Sequence, residues 1–172
     1  LKYDTVEGRN AVHRLAELHS YALHKASVRL AKERGPCAWF HKTKYSKERP
    51  WRPIDTYKSA VDEHHTQELL CDWEGLREEI KQYGMRFSVL EAFMPVESSS
   101  VFTASTNGLY PIRNHQIYKK SKRGIVFFEA PGWDELDYQN AYDIDTLDMV
   151  KFYSIVQKFA GQGISADFYS DL

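Results

Sequence analysis

Between residues 12 and 34 the apolar positions Val12, Leu15, Ala16, Ala22, Leu23, Ala26 and Leu30 recur at steps of three and four or their sums. That is the period of one helix face, and Gly35-Pro36 supplies a stop, so the spacing predicts a long amphipathic helix. Periodicity is lost over residues 36–71, where prolines stand at 36, 50 and 53 and aromatics are scattered among charges. This stretch reads as an ordered connection that packs Trp39, Phe40 and Trp51 on a neighbour. Asp72 then stands where it caps a second helix with the stripe Trp73, Leu76, Ile80 and Tyr83, and Gly84 takes the left-handed position at its end.

Residues 85–94 are apolar apart from Arg86, Ser88 and Glu91. A run of this length after a crossover helix predicts a strand covered on both faces, hence an α/β layer. Pro95 ends it, Glu97-Ser98-Ser99-Ser100 make a polar turn, and residues 101–106 predict a short helix closed by Asn107-Gly108. GIVFFEA over 124–130 is a second predicted strand. Residues 143–160 predict a helix with Ile144, Leu147, Tyr153, Val156 and Phe159 inside, and 164–169 a further strand. No internal repeat or low-complexity tract interrupts this order.

Composition narrows the classes. With 172 residues, 42% hydrophobic and 14% aromatic, the chain can bury about 70% of its unfolded surface and reads as one folded segment, residues 1–172. A net charge of -1 provides no broad positive field for nucleic acid. The local basic run Lys119, Lys120, Lys122 and Arg123 reads as a solvated turn. Cys37 and Cys71 form no CxxC pair, so neither a disulfide framework nor a zinc knuckle is indicated, and a reducing compartment is the simpler reading. No stretch approaches the roughly 20 apolar residues that span a bilayer, and the start lacks the apolar run of a signal peptide. A cytoplasmic location follows as the expectation. Because the chain begins at Leu1 and stops just after a strand-like segment, it is expected to be a fragment of something longer.

The strand, hydroxyl-rich turn and helix around residue 97 is the stretch best suited to chemistry. Backbone N–H groups and a helix start converge there, an arrangement that suits phosphate. The dipole contributes only about 0.3–1 kcal/mol when exposed, so N–H and hydroxyl donors must supply most of the binding. Glu97 would repel a phosphate unless it faces away and accepts from a ribose hydroxyl or the backbone. The alternative is that 97–100 simply cap the next helix. His64-His65 beside Glu63 and Glu68 read as a solvated loop rather than a metal site, because adjacent histidines point in different directions. His13 and Glu17 read as a surface pair on the first helix.

The run MPVESSSVFTASTNGLYPIR, residues 94–113, resembles the substrate-phosphate loop of class I ribonucleotide reductase large subunits, whose pattern is close to M-P-[ST]-x-[ST]-[ST]-x-x-x-x-x-x-T-N-G-[IV]-x-P. LAKERGPCAWF, PIDTYK and DWEGLREEIKQYGMRFSVLEAFMP upstream, with KSKRGIV and QKFAGQGISADFY downstream, are similar to the same family in the same order. The resemblance covers the chain from about residue 10. It implies an α/β fold, part of a ten-stranded α/β barrel with long amphipathic helices, incomplete in this chain. It also implies that Pro95, Glu97, Ser98 and Ser99 line the diphosphate pocket of a ribonucleoside diphosphate and that Arg113 reaches towards the nucleotide. Val96 departs from the family's small hydroxyl residue, and Asp167 from an asparagine.

By the same resemblance the family replaces the ribose 2′-hydroxyl with hydrogen through a cysteine thiyl radical and a reducing cysteine pair. None of those residues is identified here, so no catalytic or metal-binding residue is assigned, and Cys37 and Cys71 are assigned to scaffold. Tyr21, Tyr138, Tyr142 and Tyr153 offer no adjacent pair of the kind a radical relay needs. The resemblance further implies a radical-generating, metal-containing small subunit and the remainder of the large subunit as partners. A homodimer of large subunits, thioredoxin or glutaredoxin as reductant, and ATP and deoxynucleotide effectors bound elsewhere complete that expectation. The contrasting expectation is a non-catalytic scaffold or interaction module built on the same barrel segment.

Overall fold

The computed structural model describes residues 1–96, 98–103, 105–122 and 124–170, with the backbone alone at Val101, Lys119, Ser121 and Val126. Helix α1 spans Val6–Arg34, starting earlier than the apolar period because Thr5 caps it, its hydroxyl accepting from Gly8 N at 3.0 Å. Gly8 is required for a close approach: a Cβ there would fall on the Lys2 carbonyl. Helix α2, Trp73–Tyr83, begins at Asp72, whose carboxylate accepts from Gly75 N at 2.8 Å, and ends at Gly84 with φ 76°. A Cβ on Gly84 would also meet Pro36 at 2.8 Å, so the two helix exits lie back to back.

The buried face of α1 differs from the expected one. Leu15 is 58% exposed and Leu18, Ala22 and Ala26 are exposed too, whereas His13, Glu17, Ser20, His24 and Ser27 are buried beside Val12, Ala16, Val28 and Ala31. The polar residues win these positions because each finds a partner. Glu17 accepts from Leu70 N, Cys71 N and Trp73 Nε1 at 2.9–3.0 Å, and Ser20 Oγ donates to Phe159 O at 2.7 Å. His24 Nδ1 donates to Ser20 O at 2.7 Å, which leaves Nε2 to accept from Tyr45 Oη at 3.1 Å. Ser27 Oγ accepts from Phe87 N at 3.1 Å. His13 and Glu17 are therefore core groups, not the surface pair expected.

The connection over 36–71 is ordered by four short 3-10 turns, at Phe40–Lys42, Lys44–Ser46, Pro53–Asp55 and Ser59–His64. Phe40 and Trp51 pack on the core formed by Trp73, Leu76, Ile80 and Phe159, as expected of them. Trp39 does not, being 63% exposed with the Lys42 ammonium over its ring.

Residues 85–94 are extended but form no strand, and neither do 164–169. A strand exists only with a ladder, and here the bonds are single ones to unrelated places: Cys37 N to Met85 O, Arg86 N to Ser27 O, and Ser165 N to Phe93 O. The predicted short helix lies earlier, as α3 at Ser98–Phe102, so Ser98 to Ser100 are inside it rather than in a turn before it. The strand expected at 124–130 is present as β2, Gly124–Glu129. It pairs antiparallel with β1, Gln116–Ser121, from Gln116 opposite Glu129 to Ser121 opposite Gly124. Lys119 and Lys120 thus belong to a strand rather than a solvated turn; Lys122 is in the turn and Arg123 is outside the described residues.

Helix α4, Thr146–Phe159, starts at Asp145, whose carboxylate accepts from Leu147 N at 2.7 Å. Leu147 at the cap is 67% exposed, contrary to expectation, and Met149, Phe152 and Ile155 are buried with Tyr153 and Val156. Among the described residues the chain is a helical layer, α4 and α2 against α1, with one two-stranded hairpin, and it closes no barrel by itself.

Two outcomes follow. Glu17→Ala leaves one buried and two part-buried donors without their acceptor, a loss of roughly 3 kcal/mol. Hydrogen exchange at the Leu70 and Cys71 amides should accelerate about 100-fold; unchanged protection would show that the carboxylate does not hold this junction. The exposed Phe87, Val89, Met94, Tyr118 and Ile125 form apolar surface unsuited to water. The isolated 172-residue chain should bind a dye such as ANS and melt broadly, and a sharp cooperative transition without dye binding would contradict this.

Candidate functional site

The extended segment turns at Pro95, which is half-buried, and Val96 N donates to Asn107 O at 2.9 Å, tying the start of the loop to the Asn107-Gly108 bend. Ser99 N donates to Val96 O at 2.9 Å. Thr103 closes the helix with both N–H and hydroxyl on Ser99 O, at 3.0 and 2.9 Å. These bonds draw α3 back onto the serines and explain its earlier position. Ser98 and Ser99 are exposed on its first turn, Ser100 is buried at 4%, and Glu97 lies outside the described residues.

Beside this loop a cleft of about 560 Å3 opens towards the hairpin. Ser100, Asn107, Tyr110, Arg113, His115, Asp167 and Tyr169 are on its wall. The structure thus brings Arg113 to the same cleft as the end of the serine run. Pro95, Ser98 and Ser99 do not line it. The Arg113 carbonyl accepts from Asn140 Nδ2 at 2.7 Å, which fixes the backbone while the side chain stays exposed. Burial raises the Tyr169 hydroxyl above its ordinary pKa, the Asp167 charge adds to this, and Arg113 opposes it. Asp167, where the resemblance has an asparagine, is on the cleft wall with Glu129, and the two carboxylates temper its positive field.

Sequence reasoning missed Tyr110, His115 and Tyr169. Tyr169 follows Asp167 on a segment distant in sequence, and its ring meets those of Tyr110 and Tyr142 at 6.4 and 5.7 Å. Nothing in local spacing announces that contact.

The cysteines are half-buried and unpaired. Burial pushes the Cys71 thiol up to about 11, with the Glu17 charge adding to it, so at neutral pH it is a thiol rather than a nucleophilic thiolate.

The histidine expectations need correction. His65 is not solvated: its side chain is 5% exposed, and its ring lies 4.2 Å from that of His13. The buried Lys158 ammonium lies at the Nε2 edge of both rings, donating to Asp62 Oδ1 at 2.7 Å and to His13 Nε2 at 3.3 Å. A lysine cation occupies the centre of this cluster. Burial pulls the His13 pKa down to about 3, and the charges of His65 and Lys158 act in the same direction. Burial alone would raise Asp62, but the bonds from Lys158 and Tyr57 outweigh it and hold the carboxyl below its usual range. Among the described residues no three His, Cys, Asp or Glu side chains gather to hold a metal, and no helix is long and apolar enough to cross a membrane.

Comparison with known proteins adds a family. Residues 1–133 match the family model described as ribonucleotide reductase, barrel domain. The chain is 40% identical over 170 residues to the ribonucleoside-diphosphate reductase subunit alpha of Haemophilus influenzae, covering 97% of this chain and 22% of that protein. It is 40% identical over 169 residues to the ribonucleoside-diphosphate reductase 1 subunit alpha of Escherichia coli K12, covering 96% and 22%. The match to the subunit alpha of Enterobacteria phage T4 is 42% over 118 residues, covering 69% and 15%. The chain spans about a fifth of the length of these cellular relatives.

His13 is held neutral in the folded chain but takes up a proton near pH 6.5 when unfolded, so acid favours the unfolded state. Stability should begin to fall as pH drops below about 6.5 and continue to fall towards about 3, with His24, held down to about 4 chiefly by burial, adding to the slope. The check is an NMR titration of the His13 ring: it should remain neutral at pH 5, and an ordinary midpoint near 6.5 would refute the buried cluster.

Proposed function

The chain belongs to the ribonucleotide reductase barrel-domain family, and from that membership we propose that it is a segment of the large, catalytic subunit of a ribonucleoside-diphosphate reductase. In this reading it supplies part of the wall that holds the substrate's diphosphate. The observation that carries the proposal is that Ser100, the end of the serine run, and Arg113 share one cleft, with Ser98 and Ser99 exposed on the same turn of α3. Hydroxyl donors on one side and a planar guanidinium on the other suit phosphate oxygens, and hydrogen bonds to a charged acceptor are worth roughly 1.5–3 kcal/mol each. Pro95 and Glu97 are proposed to line the same diphosphate pocket, with Arg113 reaching towards the nucleotide.

The extended residues 85–96 and 164–169, joined by the bond from Ser165 N to Phe93 O, are proposed as strands of a ten-stranded α/β barrel completed by the rest of the subunit. Their exposed apolar side chains are consistent with that cover. The complete subunit is proposed to replace the ribose 2′-hydroxyl by hydrogen in the cytoplasm. Its partners in this reading are a metal-containing small subunit that generates the radical, a second large subunit, thioredoxin or glutaredoxin as reductant, and ATP and deoxynucleotide effectors bound elsewhere. The residues described here bind and orient; none is proposed as a radical carrier or reductant.

The test is Ser98→Ala/Ser99→Ala in the full subunit. Loss of two charge-assisted bonds should weaken ribonucleoside diphosphate binding at least about 10-fold. Arg113→Ala should weaken it comparably, and Arg113→Lys less. Unchanged substrate affinity in the serine variant would overturn the phosphate-wall assignment and favour a non-catalytic module on the same scaffold.

A further inference from the structure

A second groove, of about 330 Å3, opens between the connection and α2, lined by Lys44, Lys47, Arg49, Trp51, Asp55 and Arg77. Four cations face one carboxylate, and that carboxylate is already engaged. Asp55 accepts from Arg52 N, Nε and Nη2 at 2.8–3.1 Å, and from Arg77 Nη2 at 2.8 Å. Glu74, the next acid, is largely exposed and paired with Arg52 Nη1 at 2.7 Å and with Arg77 Nε at 3.3 Å, which leaves Arg77 Nη1 as the floor nitrogen to complete. Glu48 lies between Lys47 and Arg49 in sequence but is not on the groove wall.

The floor is built rather than incidental. Arg77 is 4% exposed, fixed by Asp55, and its buried Nη1 has no acceptor among the described residues. A buried guanidinium nitrogen without an acceptor is costly unless an anion completes it. Trp51 is held by its Nε1 bond to Thr56 Oγ1 at 3.3 Å, and the Lys44 ammonium lies 3.0 Å over its ring while donating to Gly161 O at 3.3 Å. The wall is thus ordered before any ligand arrives. Lys47 and Arg49 are exposed on the rim and make no ion pair among the described residues.

We propose that this groove binds a compact anion carrying two or three phosphate groups, with Arg77 at its base and Lys47 and Arg49 closing over it. A buried guanidinium fork with flexible rim cations approaching from other directions matches clustered tetrahedral oxyanions. An open groove of about 330 Å3 suits such an anion better than an extended acidic peptide. The groove shares no residue with the α3 loop or its cleft, so it is a site separate from the one proposed for substrate.

The experiment is calorimetric titration of the full subunit with inorganic tripolyphosphate at low ionic strength. It is done in the Ser98→Ala/Ser99→Ala background so that the α3 loop does not contribute. Adding Lys47→Gln/Arg49→Gln, both on the exposed rim and remote from the packing that holds the connection, should weaken the binding at least about 10-fold and flatten its salt dependence. No tripolyphosphate binding at millimolar concentration, or equal affinity with and without the rim cations, would overturn the proposal. So would rim-dependent binding of a poly-glutamate peptide with none of tripolyphosphate, which would make the groove a peptide contact.

Discussion

The polar stripe buried along α1 is the constraint on which the rest of the chain depends. Glu17, Ser20, His24 and Ser27 lie on the inner face, and each is satisfied by a segment far away in sequence: 70–73, Phe159, Tyr45 and 86–87 in turn. A buried donor or acceptor left unmatched costs roughly 1–3 kcal/mol. Apolar packing tolerates sliding, but these bonds do not, because they are directional. One helix therefore dictates where the connection, the start of α2, the exit of α2 and the end of α4 must sit.

The position of the candidate phosphate loop follows from that rack. The exit of α2 is pinned where Gly84 meets Pro36 and where Ser27 receives the backbone of residues 86 and 87. The extended segment departs from there towards Phe93, which meets Ser165, and Val96, which meets Asn107. Each contact is a single bond rather than a ladder, so the segment is aimed by its two ends. The cleft forms beyond this path, where the end of the serine run, the bend after Asn107, the hairpin and the segment of Asp167 and Tyr169 come together.

Charge is organised in two ways. In the core, Lys158 is matched by Asp62 and the two histidines, and Arg52 and Arg77 are matched by Asp55 and Glu74, so buried cations have acceptors close by. At the groove rim Lys47 and Arg49 have none of that compensation. Arg77 stands between these cases, paired with Asp55 and Glu74 while its Nη1 has no acceptor among the described residues. A net charge of -1 hides this contrast completely.

Periodicity, capping chemistry and turn residues determined α1, α2 and α4 by themselves, though not the position of α3. Asp72 and Gly84 bound α2 as their residue types require, Gly35 ends α1, and β2 follows its apolar run. The serine run and Arg113 were legible as residue types suited to phosphate. Only tertiary structure decided that Leu15 faces out while His13 and Glu17 face in, since a hydropathy pattern does not reveal which polar groups have partners. It also decided that 85–94 remains extended without a ladder, that β1 exists opposite β2, and that Tyr169 and Asp167 join Arg113 at one cleft. A cap or a turn acts across three or four residues and can be read locally. Ladder bonds, buried polar pairs and cleft walls join residues tens of positions apart, and their partners are set only when the chain has folded.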